Sequence, residues 1–200
     1  MNGHQIEQAF LELLSATEAL QTGHFMLSSG LHSGKYIQCA RLLQYPAYAA
    51  QVGEWLAGAV SGHHIDKVIA PAIGGLILGH EVARALSVPF IFTERRDGRH
   101  QLRRGFTIAP QEQLVIIEDV TTTGGSIREV DTIVRAANAT PVAAGTAVLR
   151  GPVPDLHEPF FYLARLQFET FIPDQCPLCA AGMPVQKPGS NVGPDHGPRP

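Results

Sequence analysis

Residues 115–126 have the sequence VIIEDVTTTGGS, and this stretch decides the fold class. Apolar residues lead into two adjacent acids, a run of threonines and two glycines follows, and a helical pattern begins at Ile127. This order predicts a buried strand, a loop and the start of a helix. In an α/β protein the acids would then lie at the carboxyl edge of the sheet, where open sheets of this class bind ligands.

The loop after the acids is suited to binding a phosphate group. Backbone N–H groups at the start of a helix lack partners within the helix, and the helix dipole adds positive charge at the same place. Gly124 and Gly125 lack the Cβ atoms that would hold an anion away from the backbone. The loop also supplies hydroxyl donors from Thr121, Thr122, Thr123 and Ser126.

Glu118 and Asp119 require a further explanation. Burying adjacent carboxylates without partners is costly, whereas at a ligand site they accept hydrogen bonds from ribose hydroxyls or hold the water around Mg²⁺. An ordinary turn capped by Thr or Ser explains the glycines but not the acids. The stretch has neither the Lys of a Walker loop nor a GxGxxG fingerprint. We therefore expect a site for a sugar phosphate.

Length and composition indicate a soluble globular enzyme of one domain. The chain has 200 residues, of which 44% are hydrophobic and 16% charged, and its net charge of −3 argues against nucleic acid as a partner. The longest apolar stretch without charge, residues 68–79, is too short to span a bilayer. The N-terminus lacks a signal-peptide pattern, so the expected location is the cytoplasm.

Strand and helix patterns alternate through residues 65–150, which predicts a parallel, doubly wound sheet. The pattern of residues 25–38 favours a hairpin. We expect a single domain over residues 1–187, with its core at about 65–150 and a hood from about 1–45 and 152–187, and a disordered tail at 188–200. The helices are expected at about 4–21, 46–60, 76–86 and 127–137, and strands at 67–70, 88–93, 141–149 and 160–168.

Two further stretches favour binding of a pyrophosphate. Residues 71–75, PAIGG, form a second glycine turn between a strand and a helix, so Gly74 and Gly75 indicate a second anion site. Residues 94–104, ERRDGRHQLRR, interrupt the apolar pattern. Charge runs are commonly solvated faces, but this one lies between two predicted phosphate loops. It contains five of the fifteen Lys and Arg residues, namely Arg95, Arg96, Arg99, Arg103 and Arg104, beside His100.

These stretches together resemble the orotate phosphoribosyltransferase family, which belongs to the type I phosphoribosyltransferases. VIIEDVTTTGGS resembles the type I signature for phosphoribosyl pyrophosphate. The other matching stretches are HFMLSSGLHSGKYIQCARLLQYP, which resembles the segment that encloses the pyrimidine, APAIGGL, FTERRDGRHQLRRGF, VLRGP and FIPDQCPLCAAGMPVQKPGS. The resemblance extends over nearly the whole chain. It implies the type I fold, a central parallel sheet flanked by helices with a small hood subdomain.

The resemblance also implies an activity and a homodimer. The family transfers the phosphoribosyl group of phosphoribosyl pyrophosphate to N1 of orotate, giving orotidine 5′-monophosphate and pyrophosphate in pyrimidine biosynthesis. Mg²⁺ is the expected cofactor, held mainly by the substrate and reached through water by Glu118 and Asp119. Loop 94–104 is expected to act in the neighbouring subunit.

Each site residue receives a role from the resemblance. Catalytic roles are assigned to Glu118, Asp119, Arg99 and His100. Phosphoribosyl pyrophosphate is assigned to Thr121, Thr122, Thr123, Gly124, Gly125, Ser126, Gly74, Gly75, Arg95 and Arg96. Orotate is assigned to Ser29, Tyr36, Ile37, Thr122 and Arg150.

The chain departs from the family pattern at three lysine positions. Ser28 and Gly74 stand where many members have Lys, and Arg99 is the best match to the Lys of the catalytic loop. Arg supplies charge and hydrogen bonds but is a poor proton donor. If the loop acts electrostatically, Arg99 suffices; if it transfers a proton, His100 is the better candidate.

Two other functions compete with this interpretation. A phosphoribosyltransferase for a purine base would share the phosphate signature but would not be expected to carry the stretch at 25–38. A non-catalytic nucleotide-binding regulator of the same fold would be expected to show a helix-turn-helix or a basic face, and the sequence shows neither.

Cys176 and Cys179 have the spacing of half a zinc site. A second pair or a histidine cluster does not follow closely, and His157 and His196 are unsupported as ligands. We therefore favour structural or incidental thiols over a metal site.

Overall fold

The computed structural model describes residues 1–27 and 29–188. Ser28, where the family pattern has Lys, and residues 189–200 of the expected tail lie outside the described residues. The described helices are α1 (Gly3–Ala16), α2 (Ala40–Leu43), α3 (Pro46–Val60), α4 (Gly75–Leu86), α5 (Gly125–Ala136) and α6 (Pro177–Ala180). The described strands are β1 (Leu20–Met26), β2 (His32–Ile37), β3 (Lys67–Pro71), β4 (Phe90–Arg96), β5 (Arg99–Leu102), β6 (Gln113–Thr121), β7 (Thr140–Leu149), β8 (Phe160–Arg165) and β9 (Thr170–Phe171).

The chain divides into two compact units. The first unit comprises Met1–Ala19 and Cys39–Gln167. The second unit comprises Leu20–Gln38 and the described residues from Phe168 onward. Helix α1 thus belongs to the first unit, so the second unit has narrower bounds than the predicted hood.

A mixed sheet organises the first unit. Within the described residues it has six strands in the order β5-β4-β3-β6-β7-β8. Every pair is parallel except β4 and β5, which are antiparallel. The predicted alternation of strands and helices is confirmed, and β6 lies in the middle of the sheet with parallel partners on both sides.

Helices cover both faces of this sheet. Successive residues of a strand point to opposite faces, so Ile69 and Ala70 of β3 face different helices. Ile69 belongs to a buried cluster with residues of α5 such as Ile127 and Val130. On the other face α4 approaches closely, because a Cβ placed on Gly79 would lie 2.9 Å from the Cβ of Ala70. The sheet is therefore buried on both sides, as parallel sheets are.

The second unit contains an antiparallel sheet with the order β1-β2-β9. The hairpin expected within residues 25–38 is confirmed by the pairing of β1 with β2. The register shifts between Thr22 and Phe25, which marks a bulge in β1. A backbone pair joins this hairpin to the end of the described chain, because Met26 N–H donates to the Gln186 carbonyl and Gln186 N–H donates to the His24 carbonyl, each over 2.8 Å.

The first helix is shorter than its periodicity predicts. It begins with a capping box formed by Asn2 and Gln5 and ends at Ala16, although the apolar spacing favours a helix to about residue 21. Leu20 instead begins β1 and pairs with Ile37 of β2. Pairing between strands therefore overrides the local helical pattern. Within the described residues, the helices are all too short or too polar to cross a membrane.

Candidate active site

Strand β6 delivers the two acids to the carboxyl edge of the central sheet. Its residues from Leu114 to Ile117 are fully buried, as expected for the middle strand of a parallel sheet. Glu118 follows directly and pairs in register with Thr146 of β7. Asp119 comes next, and the chain leaves the strand after Thr121. The predicted position of the acids, at the edge where such sheets bind ligands, is confirmed.

The two carboxyl groups have raised pKa values. Burial raises the pKa of Glu118 to about 8, with a further contribution from the charge of Asp119, while the nearby hydroxyl groups of Ser126 and Thr121 oppose the shift. Burial also raises the pKa of Asp119, and the Val120 N–H, which donates to its Oδ1 over 2.9 Å, acts in the opposite direction. Two buried carboxyl groups side by side have lost part of their hydration. They therefore favour a cation or hydroxyl donors as ligands.

The first glycine turn lies against these acids. A Cβ on Gly74 would stand 2.5 Å from Oδ1 of Asp119, and one on Gly75 would stand 2.9 Å from the carbonyl oxygen of Ile117. The turn precedes α4, whose first residue is Gly75, and the Ala72–Ile73 peptide within it is cis. The absence of side chains at both glycines allows the turn and the acids to form one site.

The loop after β6 ends in a helix start without a side-chain cap. Gly124 occupies the N-cap position of α5 with φ of +76°, a left-handed conformation that favours glycine. A Cβ there would also lie 2.7 Å from Pro154. Thr122 and Thr123 are exposed on the loop. The predicted phosphate nest therefore has the backbone geometry of an anion site at a helix N-terminus.

Arg150 is placed beside this loop by backbone contacts. Its N–H donates to the Thr121 carbonyl over 2.8 Å, continuing the pairing of Leu149 with Thr121. A side chain on Gly151 would collide with the carbonyl oxygen of Thr122. The chain segments that carry Thr122 and Arg150, which the resemblance assigns to one ligand, thus lie side by side.

The arginine-rich stretch forms a β-hairpin. Strands β4 and β5 pair from Thr93–Leu102 to Arg96–Arg99, leaving the two-residue turn Asp97-Gly98. Both turn residues have positive φ, 50° and 79°, as a type I′ turn requires. The stretch is therefore a regular element on the edge of the sheet.

Glu129 of α5 ties this hairpin to the phosphate loop's helix. Its Oε2 accepts a hydrogen bond from the backbone N–H of His100 over 2.9 Å, and its Oε1 accepts one from the Arg95 guanidinium over 3.3 Å. These contacts hold the pKa of Glu129 below its ordinary value, chiefly through the His100 N–H. One carboxylate therefore joins the hairpin to α5, the helix that follows the predicted phosphate loop.

Arg99 and His100 point to opposite sides of β5. Arg99 is exposed, and its guanidinium makes no ion pair with any residue in the part of the chain that the structure describes. His100 is only 7% exposed, and its Nδ1 lies 3.1 Å from Oγ1 of Thr93. Burial, aided by the charge of Arg95, lowers the pKa of His100 and so favours the neutral ring, while the charge of Glu129 opposes the shift. In this conformation Arg99 is available to an anionic ligand and His100 is not a charged donor.

The predicted orotate residues of the second unit lie along its hairpin. Ser29 is exposed in the turn, where its Oγ accepts the Leu31 N–H over 3.5 Å. The Tyr36 hydroxyl donates to Oε1 of Gln38 over 3.1 Å, and its ring lies 5.7 Å from that of Phe25. Ile37 is buried. Neighbouring strand residues face opposite ways, so Tyr36 and Ile37 present their side chains to different faces of the hairpin.

Comparison with known proteins identifies the family. A family model described as a phosphoribosyl transferase domain matches residues 38–156. The orotate phosphoribosyltransferase of Caldanaerobacter subterraneus subsp. tengcongensis is 45% identical over 92% of this chain and 97% of its own length. That of Carboxydothermus hydrogenoformans is 48% identical over 90% of this chain and 95% of its own length. The chain belongs to the orotate phosphoribosyltransferase family.

A solved structure supports the same family. The crystal structure of orotate phosphoribosyltransferase from Aeropyrum pernix matches with a TM-score of 0.66 at 28% sequence identity, covering 78% of this chain and 92% of that chain. The resemblance, the type I fold and the assignment as a phosphoribosyl-transferring enzyme are thereby confirmed. Orotate is favoured over a purine base as the acceptor, because these relatives, at 45% and 48% identity, are named orotate phosphoribosyltransferases.

The ligand contacts assigned to individual residues of this chain stay predictions.

The sequence patterns did not identify Glu129, whose carboxylate holds the arginine hairpin against α5. Glu129 and the hairpin at 94–104 lie far apart in the sequence, and their opposite charges alone do not predict that they make contact. The turn signal Asp97-Gly98 was visible, however, and identifies the hairpin that brings His100 to Glu129.

Proposed function

We propose that this protein transfers the phosphoribosyl group of phosphoribosyl pyrophosphate to N1 of orotate, releasing pyrophosphate and forming orotidine 5′-monophosphate for pyrimidine biosynthesis. The observation that carries the proposal is the contact of Asp119 with Gly74, in a chain of the orotate phosphoribosyltransferase family. This contact joins the predicted ribose-binding acids to the predicted pyrophosphate loop. The start of α5 follows the acids by a few residues.

The phosphate end of the substrate is assigned to the loop at 122–126. The uncapped start of α5 offers backbone N–H groups, and Ser126 adds a hydroxyl. The ribose hydroxyls are assigned to Glu118 and Asp119, which accept hydrogen bonds when ionised. As the bond from C1 to pyrophosphate lengthens, positive charge develops on the ribose ring, and nearby carboxylates stabilise that charge.

The leaving pyrophosphate is assigned to Gly74, Gly75 and the arginine hairpin. The uncapped start of α4 supports binding of an anion at the glycine turn. Exposed Arg99, which has no ion pair within the described residues, supplies the positive charge that neutralises the leaving group. The burial of His100, which keeps its ring from the solvent-exposed face of the hairpin, favours an electrostatic role for the hairpin over proton transfer.

The donor set of the site fits Mg²⁺. Glu118 and Asp119 present carboxylate oxygens, which are the ligands that Mg²⁺ prefers, and it commonly keeps several waters when bound with phosphate. We propose that the two acids hold this ion through water, where it would supply charge to the pyrophosphate oxygens. The protein's own residues orient the ribose and bind the phosphates.

The remaining assignments come from the family resemblance. Contacts to orotate are proposed, on the resemblance, for Ser29, Tyr36, Ile37, Thr122 and Arg150. A homodimer in which the hairpin at 94–104 acts in the neighbouring subunit is also proposed. The cytoplasm is the proposed location, and the unpaired thiols Cys39, Cys176 and Cys179 are typical of a reducing compartment.

A turnover assay separates the enzyme from a non-catalytic regulator of the same fold. The protein is incubated with Mg²⁺, phosphoribosyl pyrophosphate and orotate, and orotidine 5′-monophosphate is quantified by chromatography. Many turnovers per chain are expected, and the isosteric variant Asp119→Asn should lose about two orders of magnitude in kcat, the usual scale for one preorganised electrostatic contact. Binding of phosphoribosyl pyrophosphate without turnover by the wild-type protein would instead support the regulator.

A further inference from the structure

Two histidines and two cysteines of the second unit lie together in a cluster that the proposed reaction does not use. We call His24, His32, Cys176 and Cys179 the His–Cys cluster. One ligand atom from each residue lies within 4.8 Å of every other. His24, His32 and Cys176 are buried, with exposed fractions of 2%, 6% and 3%, while Cys179 is exposed.

The cluster is assembled by elements far apart in the sequence. His24 falls in the bulge of β1, where the register shift redirects a side chain, and His32 begins β2. Cys176 is the N-cap of α6 and Cys179 lies one turn later in that helix. The two histidines belong to the N-terminal hairpin, far in the sequence from the two cysteines. His157 belongs to the first unit, and His196 lies outside the described residues.

Three distances within the cluster match a tetrahedral metal site. Zn–S bonds of about 2.3 Å and Zn–N bonds of about 2.0–2.1 Å at tetrahedral angles separate neighbouring ligand atoms by about 3.3–3.8 Å. Nε2 of His24 lies 3.5 Å from Sγ of Cys176 and 3.7 Å from Sγ of Cys179, and Sγ of Cys179 lies 3.3 Å from Nδ1 of His32. The two histidine nitrogens are closer, at 2.8 Å, so they must separate slightly when both bind one ion.

A contact behind His24 prepares its ring for a metal. Nδ1 of His24 lies 2.8 Å from the carbonyl oxygen of Met183, which can only accept a hydrogen bond. The proton therefore resides on Nδ1, and the lone pair of Nε2 faces the two sulfur atoms. Ligating histidines commonly donate their other N–H to a backbone carbonyl in this way.

We propose that the His–Cys cluster binds one Zn²⁺ as a closed structural site. Two thiolates and two imidazoles in tetrahedral arrangement are the ligands that Zn²⁺ takes in structural sites. Binding releases the two thiol protons to solvent. His24 binds through Nε2, and His32, whose Nδ1–H donates to His24 in the metal-free chain, moves that proton to Nε2 and binds through Nδ1 as a neutral ring. All four positions are filled by protein, so the ion has no position for a substrate, and the site is separate from the proposed reaction.

The ion would stabilise the second unit. That unit is formed from an N-terminal hairpin and a C-terminal segment, which are joined by a pairing of β2 with β9 over two residue pairs and by the backbone bonds of Gln186. Small units with little apolar core commonly depend on a metal or a disulfide. One ion bound to His24, His32, Cys176 and Cys179 crosslinks both segments.

Metal content tests the proposal directly. The full chain, expressed with zinc in the medium and passed over a desalting column, is analysed by inductively coupled plasma mass spectrometry. One zinc per chain is expected for the wild type and for the matched controls Cys39→Ser and His157→Ala. Cys179→Ser and His32→Ala should retain less than about a tenth of it, since each removes one ligand.

Titration of the wild-type chain with cobalt gives a second test, which does not depend on whether the ligand variants fold. The wild-type chain, stripped with a chelator and titrated with Co²⁺, should develop thiolate-to-cobalt charge-transfer bands and the intense visible bands of tetrahedral coordination, with an end point at one ion per chain. Zinc should then displace the cobalt and raise the melting temperature. A wild-type chain that contains no zinc and gives no such spectrum, or zinc that persists in both ligand variants, would overturn the proposal.

Discussion

Gly74 touches the carboxylate of Asp119, so closely that a Cβ at Gly74 would stand 2.5 Å from Oδ1 and 2.9 Å from Cγ of Asp119. Real Cβ atoms do not approach other atoms so closely. Asp119 is held in turn by the Val120 N–H, which donates to the same Oδ1 over 2.9 Å. In this chain the position of the Asp119 carboxylate therefore depends on the absence of a side chain at Gly74.

Gly74→Ala should lower kcat/KM for phosphoribosyl pyrophosphate by about one to two orders of magnitude, because the methyl group displaces the Asp119 carboxylate from its productive position. Gly58→Ala is the matched control, since Gly58 is exposed in α3 with no atoms within 4 Å of an added Cβ. The control should be fully active and more stable by about 0.5–1 kcal/mol. Steady-state kinetics and urea unfolding distinguish the two, and full activity of Gly74→Ala would contradict the assigned contact.

Arg99→Ala should lower kcat by roughly 10²–10³-fold with little change in KM for orotate, because the lost charge acts on the leaving group. Arg99→Lys should keep most of the activity, since Lys also supplies a positive charge. Arg165→Ala, which removes an exposed arginine from β8, controls for the loss of charge elsewhere. Initial rates at varied orotate concentration measure both parameters. Equal losses in the Ala and Lys variants would show that charge is not the property that matters.

Mixed dimers test whether Arg99 acts in the neighbouring subunit. Co-expression of Arg99→Ala and Asp119→Asn chains, each carrying a different tag, allows the mixed dimer to be purified over two columns. If Arg99 serves the partner's site, one site of that dimer is intact and activity returns, although each parent is inactive. Activity that stays at the level of the parents, in a dimer verified by light scattering, would place Arg99 in the site of its own chain.

Glu118→Gln should stabilise the protein without substrate increasingly as the pH rises. The pKa of Glu118 in the folded chain is about 8, above its ordinary value of 4.5. Between these values the folded state holds a proton that the unfolded state has lost, so the stability of the wild type falls as the pH rises through about 8. The neutral Gln avoids this loss.

Urea unfolding at pH 5, 7 and 9 without Mg²⁺ measures that difference. It should grow by more than about 1 kcal/mol across the series, because one pKa unit corresponds to about 1.4 kcal/mol. Glu12→Gln, which removes an exposed carboxylate from α1, should show no such trend. A constant difference for Glu118→Gln would mean that burial does not raise this pKa.

The elements that position the acids follow from local sequence, whereas the contacts between distant segments do not. The stretch at 115–126 specifies β6 and α5, because apolar β-branched residues and a glycine turn act locally. The end of α1 could not be predicted, since Leu20 continues the helical spacing yet pairs with Ile37. The contact of Glu129 with His100 depends on where α5 packs, which no local pattern contains.

The His–Cys cluster shows the same distinction. The spacing of Cys176 and Cys179 is a local signal, but its histidine partners are near the other end of the chain. Their approach requires the bulge at His24 and the return of the chain beside β1. Such partners are found only when the topology of the sheet is known.

An acceptor panel tests the central claim most directly. The protein is incubated with Mg²⁺, phosphoribosyl pyrophosphate and one base at a time from orotate, uracil, adenine, hypoxanthine and xanthine, and pyrophosphate release is followed with a coupled assay. Orotate alone should give release above the rate without base, and Asp119→Asn should suppress it. Release with a purine base and none with orotate would contradict the assignment.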